Sequence, residues 1–101
     1  MSTANGVAAR DDGVVEISGR MTFQTVPEYL AYSATWLDGN KGDVTIDLSK
    51  LTLTDSAGLA LMIEWQRRAR LQRRELRFVN LPQQVQNLVR VNGLTTAFGL
   101  A

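Results

Sequence analysis

The chain has 101 residues, 45% hydrophobic and 21% charged, with a formal net charge of +1. That length allows one domain with a real core and not two, and the near-neutral balance gives no electrostatic reason to expect nucleic acid or a membrane as partner. Cysteine and histidine are both absent, which removes disulfides, thiolate nucleophiles, Cys-based zinc sites, the usual neutral-pH general base and the commonest metal ligand.

Residues 1–6 are small and polar and are expected to fray. They carry neither a basic nor an apolar signal region, so no signal peptide is read and the chain is expected in the cytoplasm. No apolar run approaches the roughly 18–20 residues that span a bilayer. Val7 to Arg10 reads as a first short strand, Asp11-Asp12-Gly13 as a tight hairpin turn, and Val14 to Gly19 as a second strand. The first helix is expected to begin at Thr25, because Thr25-Val26-Pro27-Glu28 has the form of a capping box. Val26, Tyr29, Leu30, Ser33 and Leu37 then share a face, with Tyr32 and Trp36 as core or flank. Asp38 to Gly42 should end that helix.

Asp43 to Leu48 is a β-branched, buried strand. A second helix is expected from about Ser56 to Arg70, with Leu59, Met62, Ile63, Gln66 and Ala69 as its inner stripe. Leu76 to Val79 alternates as a fourth strand. Leu81-Pro82 opens a third helix with Leu81, Val85, Leu88 and Val89 inward, and Gly93 suits its left-handed C-terminal position. The order β-β-α-β-α-β-α predicts an α/β fold: a mixed sheet with helices on one face, in which residues 43–79 form a right-handed βαβ crossover.

The turn Asp55-Ser56-Ala57-Gly58 lies between a buried strand and an apolar helix. The first N–H groups of a helix lack intrahelical partners and carry about half a positive charge. The small residues Ala57 and Gly58 would let a phosphate or carboxylate approach them. Ser56 is a chemically reasonable phosphoacceptor there, and a phosphoryl group would add roughly −1.5 to −2 charges to any docked surface. Ser and Asp are also simply the preferred N-caps, so the hydroxyl reads as a cap or as a switch. Asp55 and Ser56 are not a catalytic pair, since no nearby base activates the hydroxyl, and no nucleotide-binding motif is present.

The strand Val44-Thr45-Ile46-Asp47-Leu48, followed by Thr54-Asp55-Ser56-Ala57-Gly58-Leu59, resembles the signature of STAS domains, the anti-anti-sigma-factor-like modules, over essentially the whole chain. In bacterial anti-anti-sigma factors the serine matching Ser56 is phosphorylated by a partner kinase. The segments Leu59-Ala60-Leu61, Glu64-Trp65, Arg68-Ala69-Arg70 and Leu88 to Leu94 further resemble the STAS subunit of Mla-type phospholipid-transport systems. That likeness implies a partner, the cytoplasmic ATPase of an ABC transporter, with the hydroxyl at position 56 in the contact. It would place the chain peripherally at the inner membrane, reached only through the complex.

On a helical wheel Leu61 points away from the inner stripe and Trp65 sits at its edge, four residues apart and able to touch. Asp55, Ser56, Ala57, Gly58, Ala60, Leu61, Glu64 and Trp65 are therefore the expected partner-facing residues, with Trp65 either an interface anchor or a cover over the core edge. Six of the eleven basic residues fall between Arg67 and Arg77. They read as a solvated face, with an acidic partner or an anionic leaflet as alternatives. Nucleic acid is disfavoured because no aromatics interleave with them.

The resemblance thus implies a non-catalytic accessory subunit of a phospholipid-trafficking ABC transporter, expected to need no metal or cofactor. The alternatives, in order, are an anti-anti-sigma factor released from an anti-sigma serine kinase by phosphorylation of Ser56, a direct lipid or nucleotide carrier, and an enzyme.

Overall fold

Buried positions alternate from Val15 to Met21 and from Val44 to Leu48, so one face of each of these runs is dry and the other wetter. The computed structural model describes residues 6–10, 12–37 and 42–100. It contains β1 (Gly6–Ala9), β2 (Val14–Met21), α1 (Val26–Trp36), β3 (Val44–Thr54), α2 (Ser56–Leu71), β4 (Leu76–Val79) and α3 (Gln83–Val91). The expectations for residues 1–5, for Asp11 and for 38–41 lie outside the described residues, while Gly6, expected to fray with the residues before it, opens β1 and pairs with Ser18.

The sheet order is β1-β2-β3-β4. β1 and β2 form an antiparallel hairpin whose turn needs Gly13 at φ +83°, where Asp-Gly was expected to supply a positive φ. β2–β3 and β3–β4 are both parallel, so β2–α1–β3 is a second crossover beside the one expected from 43 to 79. β2 runs two residues past Gly19, with register shifts between Glu16 and Ser18 and between Gly19 and Arg20.

Val15, Ile46 and Phe78 lie in one register row and are all buried. The next row, Glu16, Asp47 and Val79, is only partly covered and carries the Lys50–Glu16 and Arg10–Glu16 ion pairs at 3.2 and 3.6 Å. The core is therefore on one side of the sheet, where Val15, Ile17, Met21, Ile46, Leu48, Leu76 and Phe78 meet the helices.

Two expectations about the helices change. Thr25 does not close a capping box: its hydroxyl donates to Arg20 O at 2.6 Å and accepts from Thr22 N–H at 2.9 Å, and it makes no cap bond to α1. The tight turn at 22–25 uses the hydroxyl that a cap would have used. Of the face expected on α1, Tyr29, Ser33 and Leu37 are buried, while Leu30 is 39% exposed and Trp36 takes an inward place. The stripe turns toward Trp36 because α1 packs on α2 as well as on the sheet.

Arg74 is the one buried charge among the described residues. Its guanidinium donates to Leu37 O, at the end of α1, and to Gly42 O at 2.6 Å. It thus ties the segment before β3 to the turn before β4, and it adds a cation where the dipole of α1 is negative. Arg74→Ala should lower stability by roughly 1.5–3 kcal/mol in chemical denaturation. Arg74→Lys should recover only part of that, since a lysine lacks the fork. Full stability in the alanine variant would remove the clamp.

Candidate partner-binding site

The turn into α2 is built by groups that use one another completely. β3 ends at Thr54, whose hydroxyl donates to Met21 O at 2.7 Å and so joins the ends of β2 and β3. Gln84 of α3 clasps the same residue from the other side: Thr54 N–H donates to Gln84 Oε1 at 3.1 Å, and Gln84 Nε2 donates to Thr54 O at 2.8 Å. Asp55 then leaves the strand in extended geometry and caps α2, its carboxylate accepting from Gly58 N–H at 3.0 Å and from Phe23 N–H at 2.9 Å.

The cap is therefore Asp55, and Ser56 is the first helical residue. Ser56 is exposed, and among the described residues its hydroxyl has no hydrogen-bond partner. The expected open anion cradle is corrected on two counts. The Gly58 N–H within it is already taken by the Asp55 carboxylate. Gly58 is buried rather than approachable: a Cβ there would lie 2.1 Å from Thr54 Oγ1 and 2.2 Å from Met21 O. The glycine is needed because the first turn of α2 rests directly on the strand ends.

Leu61, expected on the outside, is in the core at 5% exposure, and Trp65, read as either an interface anchor or a cover over the core edge, is fully buried at 0%. Trp65 meets Trp36 edge-on, with ring centroids 5.0 Å apart. Two neighbours press on α2, the sheet and α1, so its buried arc widens from the expected stripe to take in Gly58, Leu61 and Trp65. Of the expected partner-facing residues, Ser56 and Ala60 are exposed, and Asp55, Ala57 and Glu64 are half-buried.

One residue that sequence reading missed belongs with them. Phe23 is 79% exposed, and its backbone is held by the Asp55 carboxylate that caps α2. A large aromatic left in water, its backbone tied to the start of α2, is the kind of anchor that interfaces use. Its signal was available only as a bulky apolar residue in a stretch of turn formers, Thr22-Phe23-Gln24-Thr25.

The expected basic cluster divides by role. Arg67 and Arg68 bond Glu64 at 2.7 and 3.0 Å, Arg74 is the buried clamp, and Arg70, Arg73 and Arg77 remain exposed. Hydrogen bonds from Arg67 and Arg68 pull the Glu64 carboxyl down to about 2. At Asp55 burial works to raise the pKa, and the N–H groups of Phe23, Gly58 and Ala57 together outweigh it and hold it low. At Asp47 the Ser49 N–H is the main cause of a lowered value. Depressed carboxyls stabilise the fold above their unfolded pKa and lose that contribution as pH falls through the folded value. Stability should therefore decline as pH drops from about 4.5 toward about 2, and Asp55→Asn should flatten the decline. An unchanged acid limb in that variant would show that the cap carries no linkage. Among the described residues, no three His, Cys, Asp or Glu side chains gather to hold a metal ion, and no helix is long and apolar enough to cross a membrane.

Comparison with known proteins gives a family and a fold. The family model described as "Mlab, STAS domain" matches residues 6–100. No curated protein matches the chain. Among solved structures, it is similar to a protein of Thermotoga maritima described as an anti-sigma factor antagonist, at 13% identity over 93% of this chain and 82% of that one, with a TM-score of 0.76. It is also similar to the anti-sigma factor antagonist SpoIIAA in its unphosphorylated form, at 19% identity over 92% and 84%, with a TM-score of 0.73. A sulfate transporter family protein from Wolinella succinogenes aligns at 16% identity over 87% and 70%, with a TM-score of 0.67. At these identities the likeness establishes a shared fold.

Proposed function

This chain belongs to the STAS domain family, and from that premise we propose that it is a non-catalytic accessory subunit of a phospholipid-trafficking ABC transporter, seated on the transporter's ATPase. The observation that carries the reading is an exposed Ser56 hydroxyl, without a hydrogen-bond partner among the described residues, following an Asp55 whose carboxylate caps α2 and also accepts from the backbone N–H of Phe23, a residue 79% exposed. Ser56, Ala57, Ala60 and Phe23 make the contact. Gly58, Leu61 and Trp65 support it from beneath by setting the helix on the sheet and on α1. Small side chains at 57 and 60 let a partner element approach the helix closely, while Phe23 supplies the large apolar contact.

The same exposed hydroxyl favours a second reading, an anti-anti-sigma factor bound to an anti-sigma serine kinase and released when Ser56 is phosphorylated. A phosphoryl group at Ser56 would set roughly −1.5 to −2 charges beside the Asp55 carboxylate and repel a docked acidic or apolar surface. The two readings separate in one experiment: affinity capture of the tagged chain from its native cells in mild detergent, with Ser56→Glu and Phe23→Ala alongside. The transporter reading expects an ABC ATPase with its membrane permease from wild type, lost with Ser56→Glu and reduced at least tenfold with Phe23→Ala. Recovery of a soluble serine kinase would replace it with the sigma-regulatory reading.

A further inference from the structure

β4 is an edge strand: among the described residues β3 is its only neighbour in the sheet. The parallel register pairs Val44 with Leu76, Thr45 with Arg77 and Ile46 with Phe78, and Val44 N–H donates to Glu75 O at 2.8 Å. In a parallel ladder bonding alternates along the strand. Glu75, Arg77 and Val79 therefore turn their backbone groups toward β3, and Leu76 and Phe78 turn theirs outward. The neighbouring C-terminal segment does not take up those groups. Three of its N–H groups are spent within its own turns, Phe98 N–H on Leu94 O, Gly99 N–H on Thr96 O and Leu100 N–H on Thr95 O. Gln66 Nε2 pins it through Ala97 O at 2.7 Å, and the Phe98 ring stacks on Phe78 on the core side.

A cleft runs along this edge. One part, of about 450 Å³, lies among Gln66, Arg70, Arg73, Arg74, Glu75 and Leu76. A second part, of about 350 Å³, continues past Phe78 to Ala97 and Gly99 and shares Gln66, Glu75 and Leu76 with the first. Arg70, Arg73 and Arg77 border it, exposed and without an ion-pair partner among the described residues. Glu75 is the single carboxylate in either wall among the described residues.

We propose that this edge accepts an extended, carboxylate-bearing segment of a partner protein as a fifth strand. The outward N–H and C=O groups of Leu76 and Phe78 supply the main-chain bonds of strand addition, and the three arginines select acidic side chains. A lipid headgroup would engage the arginines but has no use for alternating backbone donors and acceptors along a strand. The cleft uses the opposite end of α2 from Ser56, so the proposal stands whether or not the ATPase reading holds.

The test uses the whole chain and a capped hexapeptide of alternating glutamate and valine, with a lysine–valine hexapeptide and vesicles containing phosphatidylserine as controls. The expected result is saturable binding of the acidic peptide, with amide hydrogen exchange at Leu76 and Phe78 slowed at least tenfold. Arg70→Glu/Arg77→Glu, shown folded by its melting curve, should bind at least tenfold more weakly. The proposal is overturned if the peptide in excess leaves those two amides unprotected, since the arginines would then merely shield a short edge from pairing. Equal binding of the lysine peptide overturns it too. So does vesicle binding without peptide binding, which would assign the arginines to a membrane surface.

Discussion

Replacing Trp65 by alanine is expected to remove about 3–5 kcal/mol of stability and to lower the melting temperature by about 12 °C or more. The side chain is fully buried and meets Trp36 edge-on at 5.0 Å, so the variant loses apolar burial, an aromatic pair and the contact that docks α1 on α2. A typical domain has only about 5–15 kcal/mol in total, so the effect is readable by circular dichroism at 222 nm. Trp65→Phe should cost clearly less. It leaves a smaller hole, and it removes an indole N–H that is buried without a hydrogen-bond partner, a group whose burial is unfavourable. Equal losses for the two variants would mean that packing at this site is not what holds the helices together.

The second large effect has a sign that opposes intrinsic propensity. A glycine exposed inside a helix gains roughly 1 kcal/mol on becoming alanine. Gly58→Ala should instead destabilise by roughly 1–3 kcal/mol or more, because the new methyl would fall 2.2 Å from the carbonyl oxygen of Met21 and 2.1 Å from Thr54 Oγ1. The second contact can yield by rotating a side chain, though only by giving up the Thr54 bond to Met21 O. The first is backbone and cannot. The strain enters at the turn that presents Ser56 and Phe23, so partner capture should fall along with stability. Thr54→Ala/Gly58→Ala should regain little, which separates the backbone clash from the hydroxyl clash. A stabilised Gly58→Ala variant would show that α2 does not rest on the strand ends.

Element order, the parallel β3–α2–β4 unit and the core strands were legible because they rest on local regularities. Val44, Ile46 and Leu48 alternate, and Leu76 and Phe78 alternate. Gly93, at φ +68°, follows a helix whose Val85 and Val89 repeat at four. What escaped depends on contacts between elements distant in sequence. The wheel for α2 assumed one burying surface, and a second helix buried Leu61 and Trp65 as well. Thr25 had the spacing of a cap, but its hydroxyl went to Arg20 O, a partner set by the path of β2. Phe23 gained its place only when Asp55, thirty-two residues later, fixed its backbone. Asp55 and Ser56 were correctly placed at a helix entrance, while their roles, cap and free hydroxyl, follow from atomic geometry that no spacing encodes. The arginines between 67 and 77 looked alike, and Arg74 became a clamp because Arg73, at φ +57°, turns the chain there.

The chain's two tryptophans are the two that meet between α1 and α2. All indole emission therefore arises from a single pair, dry and without hydrogen bonds at either nitrogen. Folded protein should fluoresce at the blue end of the tryptophan range, and the perpendicular pair should give an exciton feature in circular dichroism. Any ligand, substitution or partner that pries the two helices apart will report itself optically, with no label attached.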